Sequence, residues 1–330
     1  MRIGLLAAAR ITPTAVVEPA TRITGVDVVG VAARTPKRAQ EAAADWGVER
    51  AFGSYQELVE SPDVDAIYIA TPAALHHRWT LAALAAGKPV LCEKPFAANA
   101  DEAREMVTAA DAAGLVLMEA FHWRYHPLVG QMRTILDSGR LGAIERVEAI
   151  AELTVDMIPR DDIRWDITIG GGSMMDIGCY PVHWARWVVG AEPTVVSAEA
   201  ECPVPEIDGA MSVDLRWESG ITGLVRCSMV LPHGTSRILR LDVFGRDGRM
   251  LVTNPAGPQW GATLVVETAD GTETLDVDRT ATYDYQLAAF RDAVELGVVQ
   301  PTMGDEPIAN MVVVDECYRA AGLRPRPSIA

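Results

Sequence analysis

Two short stretches of this chain gather side chains that can move protons. In "GKPVLCEKPFAANADEAREM", residues 87 to 106, the apolar run Val90, Leu91, Cys92 is followed at once by Glu93 and Lys94, and Pro95 stops the strand ladder. A lysine at that point is either a solvated loop residue, the commoner use of the side chain, or a catalytic group at the carboxyl edge of a sheet, where open α/β folds hold their ligands. In "GGGSMMDIGCYPVHW", residues 170 to 184, glycines and Ser173 lead into a helix. Serine is a good N-cap, and glycine lets backbone approach a ligand. Asp176, Tyr180 and His183 follow at spacings of four and three, which sets a carboxylate, a phenol and an imidazole on one helical face. Such a face can hold a polyol and move a proton, or it can turn its polar groups to water; spacing alone leaves both open. Pro181 fits this helix only near its first turn or at a kink.

The elements that must position these groups follow from the hydrophobic pattern. Up to about residue 120, apolar runs ("RIGLLAA", "VDVVGVAA", "DAIYIAT", "PVLCE", "LVLMEA") alternate with amphipathic segments that end at Gly47, Gly87 and Gly114. That alternation builds a doubly wound parallel sheet of the Rossmann kind. After a helix closed by Gly139, seven strand-like runs follow one another from "AIERVEAIAEL" to "ATLVVET", which implies a largely antiparallel sheet. Two helices, near 282 to 296 and 305 to 322, end the chain.

The composition suits two globular domains: 330 residues, 49% hydrophobic and 22% charged. With 29 Lys plus Arg against 45 Asp plus Glu, a net charge of -16 opposes non-specific binding to nucleic acid or anionic membrane, so a small-molecule partner is expected. The cysteines at 92, 179, 202, 227 and 317 are odd in number and hold no C-x-x-C pair, the pattern of reduced thiols in the cytoplasm. The opening "MRIGLLAAAR" has too short an apolar run for a signal peptide and reads as the first strand.

At the cofactor end, a dinucleotide site needs a glycine-rich turn after the first strand. Here only Gly4 is a glycine in the right place, and Ala7, Ala9 and Thr12 stand later, so a turn without ligand would look the same. The contacts expected there are Ala7, Ala9, Arg10 and Ile11. The second strand ends in Ala33, Arg34 and Thr35, with Arg38 close behind, where an NAD-preferring domain has an acidic residue for the ribose hydroxyls. Arginine can pair with a ribose phosphate, so NADP is expected over NAD. Thr71 and Pro72, after the "DAIYIAT" strand, should border the same cofactor, with His76 just beyond; His77 cannot share its direction, so at most one of the two faces the site, and a solvated histidine pair is the other reading.

Taken together, "CEKPFAANADEA", "GGGSMMDIGCYPVHW" and "AARTPKRAQEAAADWGVERAFGSYQELVESPDVDAIYIATP" resemble the Gfo/Idh/MocA oxidoreductases, most strongly from about residue 25 to 185. Tyrosine at the end of D-x-G-x-(H/Y) and the run "MEAFHWRYHP" are most similar to the branch of dimeric dihydrodiol (D-xylose) dehydrogenase and glucose-fructose oxidoreductase. The resemblance implies an N-terminal Rossmann domain over 1–121 and a C-terminal α+β domain over 122–330 with a large, mostly antiparallel open sheet. It also implies hydride transfer between nicotinamide and a hydroxyl or carbonyl carbon of a sugar, sugar derivative or cyclic diol. Lys94 matches the family's catalytic lysine, Asp176 its substrate-orienting aspartate and Tyr180 its acid/base, with Glu93 toward the nicotinamide. A free tyrosine titrates near 10, and a nearby ammonium favours its phenolate.

Further substrate contacts are expected from Arg124, Trp165 and His183, although Trp165 would serve equally as a packed tryptophan. His122 and His126 have a zinc-like spacing but no intervening glutamate and no third ligand, so no metal is expected. The late sheet needs a cover, which a second copy would supply, making a homodimer. Two other readings keep the same fold: a glycoside-processing relative with transient nicotinamide use, and a catalytically silent sensor.

Overall fold

A computed structural model describes residues 1–328, and its chain divides into two compact units. The first comprises residues 1–125 with 283–308. Its strands are β1 (Arg2–Leu6), β2 (Asp27–Ala32), β3 (Arg50–Phe52), β4 (Ala66–Ile69), β5 (Val90–Cys92) and β6 (Leu117–Glu119). They form one sheet in the order β3-β2-β1-β4-β5-β6, parallel throughout. The near-continuous apolar runs follow from helices covering both faces: every residue of β4, β5 and β6 is buried. Local chemistry fixes where the helices begin and end. Thr35, Ser54 and Asn99 side chains accept backbone N–H groups at the starts of Pro36–Trp46, Tyr55–Glu60 and Ala100–Ala113. Gly47, Gly87 and Gly114 take left-handed φ values of 66°, 75° and 63°. The late helix Thr282–Leu296 sends Tyr283, Leu287 and Phe290 into this same core, so the unit is assembled from two separate parts of the chain.

The second unit comprises residues 126–282 with 309–327. Its strands are β7 (Ile144–Thr154), β8 (Thr194–Glu201), β9 (Ala210–Arg216), β10 (Thr222–Leu231), β11 (Ile238–Gly245), β12 (Gly248–Thr253), β13 (Thr263–Thr268) and β14 (Gly271–Leu275). They form a sheet in the order β14-β13-β12-β11-β7-β10-β9-β8, antiparallel except where β7 meets β10. The period of two sorts the residues of β7. Val147, Ala149 and Ala151 are fully buried, and the helix Cys179–Val189 packs across β7, β10 and β11. Glu148 and Glu152 alternate with them and are ion-paired to Arg240 and Arg226 from neighbouring strands. Among the described residues no helix is long and apolar enough to cross a membrane.

Candidate functional site

Each residue expected at the cofactor follows the carboxyl end of a parallel strand. Ala7, Ala9, Arg10 and Ile11 come after β1, Ala33, Arg34 and Thr35 after β2, Thr71 and Pro72 after β4, and Glu93 and Lys94 after β5. The strand order reverses between β1 and β4, and that switch point is where open α/β sheets leave a crevice. The turn after β1 keeps a glycine-like backbone without glycine: Ala7 has φ 92°, a conformation most L-residues avoid. Gly4 has another purpose than the one expected of it. It lies inside β1, and a Cβ there would come within 2.6 Å of Leu58 and 2.9 Å of Val64, so its missing side chain makes room for packing.

Arg38 bridges the first two strand ends, its Nη2 donating to the carbonyl of Ala8 at 3.0 Å. Beside it opens a cleft of about 390 Å³ lined by Ala33, Arg34, Ser54, Tyr55, Arg78 and Trp79 among others. Tyr55 and Trp79 meet edge to face at 5.1 Å. Burial raises the Tyr55 phenol, while the charges of Arg34 and Arg38 pull it back down. The cleft therefore offers two guanidinium groups to a phosphate and aromatic surface to a base. Arg34 was legible in the sequence; Arg78, Tyr55 and Trp79 were not, since they come from other helices.

The two histidines of "LHHRW" part company, as helical geometry requires. His77 Nε2 reaches Glu105 at 2.8 Å on the surface. His76 is buried, with Nδ1 3.0 Å from the carbonyl of Pro95 and Nε2 2.7 Å from that of Thr71. Burial lowers its pKa, against the pull of the carbonyls, and a neutral ring donates to only one of the two at a time. His76 thus ties the end of β4 to the loop that carries Lys94. Glu93 is also buried, accepting from the Tyr68 hydroxyl at 2.7 Å and from the backbone N–H of Lys94 at 3.3 Å. Burial and the Glu93 charge hold the Tyr68 phenol well above its ordinary range. His122 lies against the ring of Tyr283, 4.1 Å between centroids, and burial with the charge of Lys94 depresses it to about 3. Arg124, next along the same short helix, sets its guanidinium 5.5 Å from the Trp123 ring.

In the second unit, Asp176 lies in a π-helical turn, Met174–Gly178, that runs straight into Cys179–Val189. Pro181 is the third residue of that helix, just after the π-helical turn passes into it, where the regular hydrogen-bond ladder is already interrupted. Tyr180 and His183 are buried on it. Ser173 does not cap this helix through its side chain, as was expected. Its hydroxyl donates instead to Asp208 at 2.7 Å, and Asp208 receives the N–H of Met174 at 2.7 Å. Arg164, unremarked in the sequence, pairs through Nε with Asp176 at 2.7 Å and through Nη1 with Asp162 at 2.9 Å. Burial opposes its charge, but the two carboxylates prevail and raise its pKa. Trp165 packs against Leu153, Ile158 and Met229, with the Arg160 guanidinium 4.6 Å from its ring centre. Among the described residues, no group of three or more His, Cys, Asp or Glu is placed to hold a metal ion.

Comparison with known proteins places this arrangement. Residues 2–121 match the oxidoreductase family with an NAD-binding Rossmann fold, GFO/IDH/MocA, and residues 129–251 match the GFO/IDH/MocA C-terminal domain. The chain is 34% identical over 324 residues to D-xylose 1-dehydrogenase (NADP(+)) 2 of Haloferax volcanii, covering 97% of each. It is 37% identical over 310 residues to trans-1,2-dihydrobenzene-1,2-diol dehydrogenase of Bos taurus, covering 90% of this chain and 89% of that one. Among solved structures it superposes on KijD10, a 3-ketoreductase from Actinomadura kijaniata in complex with NADP and TDP-benzene, with a TM-score of 0.87, 26% identity and 96% of each chain covered. The chain belongs to the Gfo/Idh/MocA family of oxidoreductases, and its similarity runs to the D-xylose and dihydrodiol dehydrogenase branch.

Proposed function

We propose that this oxidoreductase prefers NADP to NAD and acts on the CH–OH or carbonyl group of a sugar, sugar derivative or cyclic diol. The observation that carries the cofactor choice is the cleft after β2, where Arg34 and Arg78 stand and no acidic side chain does. The substrate class rests on similarity to enzymes named for D-xylose and for a dihydrodiol. Bound nicotinamide supplies or accepts the hydride. The chain's own groups manage the rest. Arg34, Arg38 and Arg78 hold the phosphate-bearing ribose, and the turn Ala7–Ile11 accommodates the pyrophosphate. The Lys94 ammonium polarises the substrate oxygen, and Tyr180 takes or returns the proton on that oxygen. Asp176, paired with Arg164, accepts hydrogen bonds from neighbouring substrate hydroxyls. The working form proposed is a cytoplasmic homodimer whose second copy covers the charged face of the C-terminal sheet; a monomeric mass in solution would exclude it.

The test is NADPH formation from NADP with aldoses, inositols and trans-dihydrodiols, run beside NAD. Tyr180→Phe and Lys94→Met are expected to lose roughly a hundredfold to ten-thousandfold in rate, with NADPH binding retained. Silence across the panel in both directions, with NADPH still bound, would favour a sensor or a reaction without net redox change.

A further inference from the structure

The glycine turn that leads into Asp176 is held by charged groups from far along the chain. Asp208 and Arg326 are both fully buried and paired, Nη2 to Oδ1, at 2.6 Å. Each has its remaining capacity spent on one neighbourhood. Oδ2 of Asp208 accepts the Ser173 hydroxyl and the Met174 N–H, its Oδ1 also accepts the Tyr318 hydroxyl at 3.0 Å, and its backbone carbonyl takes the Ser173 N–H at 2.8 Å. Arg326 donates from Nε to the carbonyl of Gly171 at 2.6 Å and from Nη1 to that of Glu206 at 3.1 Å, and its guanidinium lies 4.0 Å from the Tyr318 ring centre. The turn closes around this pair so tightly that Gly172, at φ 129°, could carry no Cβ: it would lie 2.2 Å from Asp208 Oδ1 and 2.5 Å from Arg326 Nη2.

The same turn governs both halves of the Arg164–Asp176 ion pair. The N–H of Gly172 donates to the carbonyl of Arg164 at 3.0 Å, that of Gly171 to Asp166 at 2.9 Å, and the N–H of Asp176 to the carbonyl of Gly172 at 3.0 Å. A buried ion pair contributes little net stability, because desolvation offsets the attraction, but its geometry is demanding. We propose that Asp208 and Arg326 are positioning residues: they fix the register of the Gly171–Met174 turn, and through it the placement of Asp176 and Arg164 toward substrate. This rests on the reading of Asp176 as the group that orients substrate.

The experiment compares Arg326→Lys, which keeps the charge but loses the fork, and Asp208→Asn, which keeps the shape but loses one acceptor, with the unaltered protein. Arg326→Lys should lower kcat/KM at least tenfold while NADPH affinity stays within twofold. Hydrogen exchange at residues 171–177 should quicken at least tenfold, with 184–189 unchanged. Arg326→Ala should regain activity on adding millimolar guanidinium. If kcat/KM stays within twofold in folded Arg326→Lys and Asp208→Asn, the proposal is overturned. Loss of NADPH binding together with activity, or faster exchange throughout the second unit, also overturns it, since either marks a merely structural pair. Should the unaltered protein turn over no substrate, the function reading fails separately, and the exchange measurement still decides this one: faster exchange confined to the turn sustains it, unchanged exchange ends it.

Discussion

At the residue scale, the proposed preference for NADP rests on two arginines that the sequence presents very differently. Arg34 stands where the fold expects an acidic residue, so its meaning can be read from strand order alone. Arg78 is separated from it by more than forty residues and looks like any exposed helix cation until Leu75, Arg78 and Trp79 are seen on the wall of the same cleft. Both side chains are exposed, so each contact with a phosphate is worth only about 1 kcal/mol. We predict that Arg78→Ala weakens NADPH binding roughly fivefold to tenfold and leaves NADH binding almost unchanged, by fluorescence titration at low salt. Equal weakening of both cofactors would move Arg78 from the phosphate to the base. The guanidinium of Arg164 illustrates the opposite limit of legibility. Only twelve residues from Asp176, it gave no periodic signal because it sits in a single 3-10 turn, Ile163–Trp165, and its pairing emerges only when the glycine turn folds that chain back.

At the element scale, the sequence made the strands and their caps legible because period, glycine and capping side chains act locally. The parallel order followed from strand-helix alternation, and the antiparallel sheet from strands without intervening helices. What stayed hidden needed distant partners: Asp208 is bonded to Ser173, 35 residues earlier, and to Arg326, 118 residues later. Two turns, one in each unit, test this contrast. Ala7 holds a left-handed φ at a cost of about 1–2 kcal/mol, of which Ala7→Gly should recover a part, since glycine adds about 0.4–1 kcal/mol of freedom to the unfolded chain. Urea unfolding is expected to show that variant as stable as the original or up to about 1 kcal/mol more so; a clear loss would mean the Ala7 methyl packs favourably enough to offset its strain. Gly172→Ala should go the other way by about 1–3 kcal/mol or more, because its Cβ would meet the buried ion pair rather than open space.

At the scale of the whole molecule, the Rossmann unit carries buried histidines that make its stability depend on pH. His122 is depressed to about 3 by burial and by the charge of Lys94, and burial lowers His76 as well. In the unfolded chain both return to about 6.5. As pH falls through 6.5, the unfolded state therefore takes up protons that the folded state refuses, and stability drops. The loss begins near the unfolded value and, for His122, continues to about pH 3, at roughly 1.4 kcal/mol per pH unit once the unfolded histidine is fully protonated. Carboxylates complicate the lower part of this window, so the informative range is pH 5 to 6.5. Urea midpoints measured across it should fall toward acid in the unaltered protein, and His122→Gln should flatten the slope by close to one proton. An unchanged slope would show that His122 takes up its proton in the folded state too. Because the charge of Lys94 adds to burial in holding His122 neutral, Lys94→Met should let His122 protonate at higher pH and so end its share of the acid loss sooner. The same substitution would thus alter turnover and acid stability together, linking the group proposed for chemistry to the tolerance of the unit that carries it.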